Sequence, residues 1–383
     1  MRQSRVNHHA IPMKSAKVSS PPILCEATRA ERLVTPRLDG VRRVDSDAVM
    51  PSRLSSVVLL ASIAFATGCA SERAAPLFSA MPVQSWQALG APARFELVED
   101  DAGRAVLVGR GPIPSNGFLA SPRALGDFRL AVDVKLGSAD NPLGDKMNSG
   151  IQIRSGEKDG TVAGLQIEVD PSKRSWSGGV YDERGRAWLA PLDGTDAAGE
   201  AARAAFRRGE WNRYEIECIG PRIRTRVNGV PCAEWYDGIV SGLLAFQVHG
   251  GPPCEVAFRD ARLEELGSHS WRRLDGGAAA SSGERCAFAA ALAPAMRGVR
   301  MRVSGAGRVS LAAGDGATVV DVSFTADPKR PERVVELVWI DGAGAALIDG
   351  ARAAAFAVPR APASVRVLGA ACEVRDGAFL LRD

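Results

Sequence analysis

From about residue 82 onward the chain is a succession of short strand-like runs interrupted by Gly, Pro, Asn and Asp, and this pattern constrains the fold most. The runs fall at 94–98, 105–108, 128–135, 151–154, 165–169, 211–218, 223–227, 243–248 and 255–263. In Phe128-Arg129-Leu130-Ala131-Val132-Asp133-Val134, apolar residues alternate with polar or small ones, the period of a strand with one buried face. Val227-Asn228-Gly229-Val230 is a strong hairpin signal, because Asn-Gly tolerates positive φ at both central positions. The one clear helical stretch is alanine-rich, at 196–208. Many short strands with frequent turns predict an all-β antiparallel sandwich.

At 383 residues the chain exceeds one ordinary domain, so two folded units are expected. The first spans 82–266, and a boundary falls near 266–270, where a charged strand gives way to Gly-Ser-His-Ser. Residues 271–383 are strand-like again, at 298–303, 319–324, 333–339, 345–348, 363–368 and 379–381. They predict a second, smaller β-sandwich in which nothing looks catalytic.

The formal charge of +4 sits outside both units: residues 1–49 hold nine Lys/Arg and five Asp/Glu, and the remainder is balanced. No basic block is longer than a pair such as Arg207-Arg208. Nucleic acid is excluded as a partner, because binding it needs a concentrated basic face.

From Met50 the chain reads MPSRLSSVVLLASIAFATGC: a short basic start at Arg53, an apolar stretch at 57–66, then small residues before Cys69. That stretch is too short to span a bilayer, which takes ~20 residues, and suits a signal-peptide core at 50–68. Ala66-Thr67-Gly68-Cys69 resembles the lipobox of bacterial lipoproteins, with Cys69 as the lipidated residue and 69–81 as a linker. The expected protein is exported, anchored to the membrane through that lipid and held in the cell envelope. Residues 1–49 then precede the true start at Met50, or are disordered if translated.

With His8 and His9 upstream, His249 and His269 are the only mature histidines, which excludes a three-histidine metal site. Cys218 with Cys232, and Cys286 with Cys372, could pair, or the thiols could be packed and free; Cys254 is left over. No CxxC spacing marks a zinc site.

Alternation places polar groups together in three strands. Gln152 and Arg154 share a face opposite Ile151 and Ile153; Gln166, Glu168 and Asp170 share one opposite Leu165, Ile167 and Val169. Gln247 and His249 share one opposite Phe246 and Val248. If the three strands are neighbours, the patch holds an arginine, two carboxylates, a histidine and amides, with Tyr181 and Trp176 nearby. That mixture suits a sugar: planar polar groups for hydroxyls, aromatic faces for the ring. Each member also has a plain structural reading. Arg154 could simply pair with Glu168, Glu168 and Asp170 could be solvated, and His249 could brace the Gly250-Gly251 turn. Trp211 reads as a core residue, Asn212 as a strand start and His269 as a solvated linker residue.

Three stretches carry a family resemblance: Asn148-Ser149-Gly150-Ile151-Gln152-Ile153-Arg154, Gly209-Glu210-Trp211-Asn212 with Val227-Asn228-Gly229, and the run from Gly242 to Gly251 leading into 256–263. Gly164-Leu165-Gln166-Ile167-Glu168-Val169-Asp170 and Ser177-Gly178-Gly179-Val180-Tyr181 fit between them in order. Together, over about 82–266, they resemble the 3-keto-disaccharide hydrolase domain. The resemblance implies a concanavalin-like jelly roll and cleavage of disaccharides already oxidised at C3.

Such chemistry needs a base near C2, a donor for an enolate oxygen and an acid for the leaving group. Histidine titrates in the useful range, which makes His249 the candidate base or acid. Arg154 suits the enolate oxygen. Glu168 and Asp170 are candidates for the remaining acid or base, or for holding a divalent cation. Gln152, Gln166, Tyr181, Trp176 and Gln247 would bind the sugar. Two other readings stay open. Glu168-Val169-Asp170 is similar to the ExDxxE strand of laminarinase-like glucanases, broken by Lys173 at its last position. The other is a non-catalytic jelly roll that binds glycan or protein.

Overall fold

The computed structural model describes residues 73–137, 147–274, 286–369 and 372–383. The segment 1–68 and Cys69 lie outside the described residues, as does the Cys286 side chain. What is described is almost entirely antiparallel β-structure.

The alternating run at 128–134 forms the strand Asp127–Leu136, flanked by Asn212–Ile219 and Glu255–Gly267 inside an eight-stranded sheet. Phe128, Leu130, Val132, Val134 and Leu136 are buried on one face, while Arg129 points to solvent. They meet a seven-stranded sheet in the order Ala187–Ala190, Val180–Glu183, Thr161–Val169, Ser149–Lys158, Leu243–Val248, Gly117–Ala120, Gln87–Gly90. From that sheet Ile151, Ile153, Leu165, Ile167, Val169, Phe246 and Val248 enter the same core. Each such side chain stabilises the sandwich by about 1.5–3 kcal/mol when fully buried. The result is a jelly-roll sandwich whose polar alternate positions are left on the far face of the seven-stranded sheet.

Local signals act as expected at the turn and the helix. Asn228 and Gly229 have φ of 50° and 80°, and Asn228 Oδ1 accepts from the Arg213 amide at 2.9 Å. The helix is shorter than its alanine-rich stretch, at Ala197–Ala204, with Asp196 Oδ1 accepting from the Gly199 amide at its start. Asn212 begins its strand and is fully buried, holding the preceding turn through Arg207 and Glu210.

Several expectations are corrected. Cys218, Cys232, Cys254 and Cys372 are free thiols, so of the two alternatives for Cys218 and Cys232 the packed, unbridged one holds. The strand Arg222–Val227 lies between those of Cys218 and Cys232, too wide a gap to bridge. Burial pushes the Cys218 thiol up to about 12, consistent with an inert packed residue. Trp211 is half-exposed, its ring covered by the Arg259 guanidinium at 4.0 Å. His269 is buried, its Nδ1 2.8 Å from Asp127 Oδ2. The reason is that only Ser268 separates the strands Glu255–Gly267 and His269–Arg273, which leaves no loop to carry it into solvent.

The second sandwich pairs a six-stranded sheet (His269–Arg273, Glu373–Arg382, Met296–Ser304, Glu332–Ile340, Ala343–Ile348, Ala351–Ala357) with a four-stranded one (Cys286–Ala291, Pro362–Leu368, Gly307–Ala313, Thr318–Phe324). Its own core includes Val299, Met301, Leu311, Leu337, Trp339 and Val367.

Candidate functional site

Register brings the expected polar positions into a row. Gln152 pairs with Gln166, Gln166 with Tyr181 and Tyr181 with Trp188, and Gly150 faces Glu168 two pairs further along, on the same face. Gln166 is the hub. Its Oε1 accepts from Gln152 Nε2 at 2.6 Å and from Gln247 Nε2 at 3.0 Å, and its Nε2 donates to Glu168 Oε2 at 2.8 Å. Ser155 Oγ donates to Gln152 Oε1, closing the row. Gly150 is what allows this: a Cβ there would sit 2.3 Å from Gln166 Cδ.

Glu168 lies at the end of the amide row, 4% exposed, with Asn148 Nδ2 donating to its Oε1 at 3.2 Å. Burial pushes its carboxyl up to about 7 against the opposing pull of the Gln166 hydrogen bond. Asn148 Oδ1 and Gln247 Oε1 are buried acceptors with no protein partner. With its amide turned over, Asn148 has the acceptor that a protonated Glu168 needs.

Trp188 stands edge-on to both Trp176 and Tyr181, with ring centroids 4.7 and 5.2 Å away, and all three are half-buried. The Arg174 guanidinium lies 4.9 Å from the Trp176 ring centre and 4.8 Å from that of Trp188. Its Nε donates to Asp170 Oδ2 at 2.8 Å, and its Nη2 is 3.9 Å from Glu168 Oε1. Asp170 organises this corner: its Oδ1 accepts from the Ser172 amide, and the Ser177 hydroxyl bonds its backbone. Burial alone would raise the Asp170 carboxyl, but the hydrogen bonds from Ser172 and Arg174 outweigh it and hold the group low. As a cation pair Glu168 and Asp170 fit poorly, because both Asp170 oxygens are engaged and Arg174 reaches towards each carboxylate. Among the described residues no group of three or more His, Cys, Asp or Glu is placed to hold a metal ion.

His249 follows the strand Leu243–Val248 and is half-buried. The adjacent Gly250 amide donates to Asn116 Oδ1 at 3.0 Å, and Asn116 Nδ2 donates to Glu183 Oε1 at 3.2 Å. Burial raises the Glu183 carboxyl, with the Asn116 hydrogen bond and the nearby His249 pulling the other way.

Arg154 does not join the patch. Its φ is 47° and the register with the neighbouring strand shifts between Ile153 and Gly156, so strict alternation fails there. The side chain is fully buried and turns to the facing sheet, with Nη2 3.6 Å from Asp127 Oδ1 and Nη1 donating to Ile239 O at 3.2 Å. No Arg154–Glu168 pair forms. The structure thus gathers Gln152, Gln166, Glu168 and Gln247 in one network, sets Tyr181 and Trp176 beside it, gives Asp170 to its own turn and removes Arg154. Sequence reasoning missed Asn116, Asn148, Arg174, Glu183 and Trp188. A signal existed for two of these: Glu183 is two positions from Tyr181 on the same strand face, and Asn148 opens the stretch that carries the family resemblance.

Among solved structures, the chain is similar to a carbohydrate-binding module, CBM66, from Bacillus subtilis (12% identity, 47% of this chain and 96% of that one, TM-score 0.34). It is also similar to a putative glycosyl hydrolase from Parabacteroides distasonis (17% identity, 47% and 99%, TM-score 0.31). A third is a Bacillus subtilis protein of unknown function with a galectin-like fold (14% identity, 48% and 90%, TM-score 0.33). No curated protein matches the sequence. A family model described as a 3-keto-alpha-glucoside-1,2-lyase-like domain matches residues 74–264, the stretch that holds every site residue named above. Residues 74–264 of this chain belong to the 3-keto-disaccharide hydrolase family.

Proposed function

We propose that the polar face of the seven-stranded sheet binds a glycoside carrying a ketone at C3 and cleaves its glycosidic bond. The observation that carries this reading is Glu168, a carboxyl whose affinity for its proton is raised to about 7, fixed between amides beside an aromatic wall in a domain of this family. The ketone acidifies the C2 proton. His249, at the end of its strand, takes that proton; the C2–H electron pair becomes a C2–C3 double bond and the ketone oxygen becomes an enolate. Protonated Glu168 and the Arg174 guanidinium supply donors for the enolate oxygen, the role expected of Arg154. The electron pair then returns, the C1–O bond breaks, and the leaving oxygen takes the proton from the His249 imidazolium. Water adding across the resulting C1–C2 double bond completes net hydrolysis.

Incubation of the purified protein with 3-keto-glucosides and with unoxidised disaccharides tests this. The expected result is release from the keto-substrates alone, lost in His249→Ala and Glu168→Gln. Saturable glycan binding without cleavage would replace the reading with a binding module, and cleavage of unoxidised glucan would replace it with a glucanase. Export and lipid anchoring belong to the same proposal: palmitate labelling of the expressed protein is expected, and is abolished in Cys69→Ser.

A further inference from the structure

The aromatic side of the candidate site is a small edge hairpin. Its strands Val180–Glu183 and Ala187–Ala190 have four residues each and close one end of the seven-stranded sheet. It joins the rest of the sheet along one side only, through the pairing of Val180–Glu183 with Thr161–Val169, yet it carries Tyr181, Glu183 and Trp188.

Arg186, in its turn, ties it down. Nε donates to Asp182 Oδ2 of the hairpin at 2.5 Å, Nη2 lies 2.9 Å from Asp237 Oδ2, and Nη1 donates to Gly350 O at 3.0 Å. Gly350 belongs to the second sandwich, in the turn between Ala343–Ile348 and Ala351–Ala357. One planar guanidinium thus fastens the hairpin, the segment leading towards the Leu243–Val248 strand, and the second sandwich, a use for which a lysine lacks the fork.

The junction is shaped for this contact. Gly350 has φ 78°, and a Cβ there would come within 2.9 Å of Arg186 Cδ. A Cβ on Gly238 would come 2.1 Å from Glu336 Oε1 of the second sandwich. Leu347 is buried in the core of the first sandwich, and the Arg352 guanidinium lies 5.5 Å from the Trp235 ring centre.

We infer that the second sandwich is a positioning module for the candidate site, holding the Tyr181–Glu183–Trp188 hairpin in place through Arg186; the inference rests on reading that polar face as a sugar site.

The test compares the full chain with Arg186→Met, Arg186→Lys and Asp341→Ala. The last removes the Arg222–Asp341 ion pair (2.9 Å), which belongs to the same junction but not to the hairpin. In Arg186→Met, amide hydrogen exchange across 180–190 is expected to accelerate about tenfold or more while 149–158 is unchanged. KM for a 3-keto-glucoside is expected to rise about tenfold, with kcat changed by no more than about threefold. Arg186→Lys should fall between wild type and Arg186→Met, and it carries the measurement if Arg186→Met does not fold. Asp341→Ala should match wild type in both readouts. Unchanged exchange at 180–190 in the Arg186 variants, or equal acceleration in Asp341→Ala, overturns the inference. Loosening of the hairpin in a protein whose wild type neither binds nor cleaves sugar would uphold the positioning role and defeat the sugar reading.

Discussion

A single carboxyl concentrates the chemistry of the polar face. Because folding raises the proton affinity of Glu168 from 4.5 to about 7, the native state binds this proton more tightly than the unfolded chain does. The stability it contributes is complete below about pH 4.5 and is lost as pH rises through about 7, a change of about 3 kcal/mol. Glu168→Gln removes the titration while keeping the shape, and the unpartnered Asn148 Oδ1 can accept from the new amide. The melting temperature of this variant is therefore expected to match wild type in acid and to exceed it increasingly towards about pH 8. Melting curves that shift in parallel at every pH would show that Glu168 is ionised in the native state. Its turnover of a keto-glucoside should fall about 100-fold, because an amide is a weaker donor to the enolate oxygen than the carboxylic acid it replaces.

At the scale of a strand, the outcome depends on whether alternation is unbroken. Gln166 and Glu168 were legible because the Thr161–Val169 strand keeps strict period through both, and Gln152 because the Ser149–Lys158 strand keeps it up to Ile153. Arg154 was misplaced one residue later, because nothing in Ile153-Arg154-Ser155 announces a residue with positive φ. Glycine showed the reverse: Gly150 reads as a weak strand residue, and its purpose appears only when Gln166 is seen lying across it. In the second sandwich the strands Cys286–Ala291 and Ala351–Ala357 were missed, since alanine-rich runs give no apolar–polar contrast to read. Gly150→Ala follows as a test of the network. Its methyl must displace the Gln166 side chain, costing about 1–3 kcal/mol and freeing Glu168 from its donor. A chemical denaturation midpoint equal to that of wild type would mean the amide row is not held as described. Asp170→Ala should act on the corner instead. Losing the acceptor for Ser172 and Arg174 is expected to raise KM more than it lowers kcat, because Arg174 loses the anchor that holds it between Trp176 and Trp188.

Over the whole molecule, the residues that sequence reading treated as catalytic or as linker turn out to join the two sandwiches. Asp127 opens a central strand of the first sandwich and meets three partners. Its Oδ2 lies 2.8 Å from His269 Nδ1, its Oδ1 accepts from the Gly220 amide at 2.8 Å, and Arg154 Nη2 is 3.6 Å away. His269 begins the edge strand of the second sandwich, so the cluster couples the two cores through buried polar groups. Removing one member of such a cluster leaves the others buried without compensation, typically at a cost of about 3–5 kcal/mol. Asp127→Ala should therefore lower the unfolding temperature of both sandwiches together, in a single calorimetric transition. The comparison is Asp321→Ala, on an exposed position of the four-stranded sheet, which should leave the transition where it is. Two separable transitions in wild type, with only the first displaced by Asp127→Ala, would show that the sandwiches fold independently and that the cluster serves the first one alone.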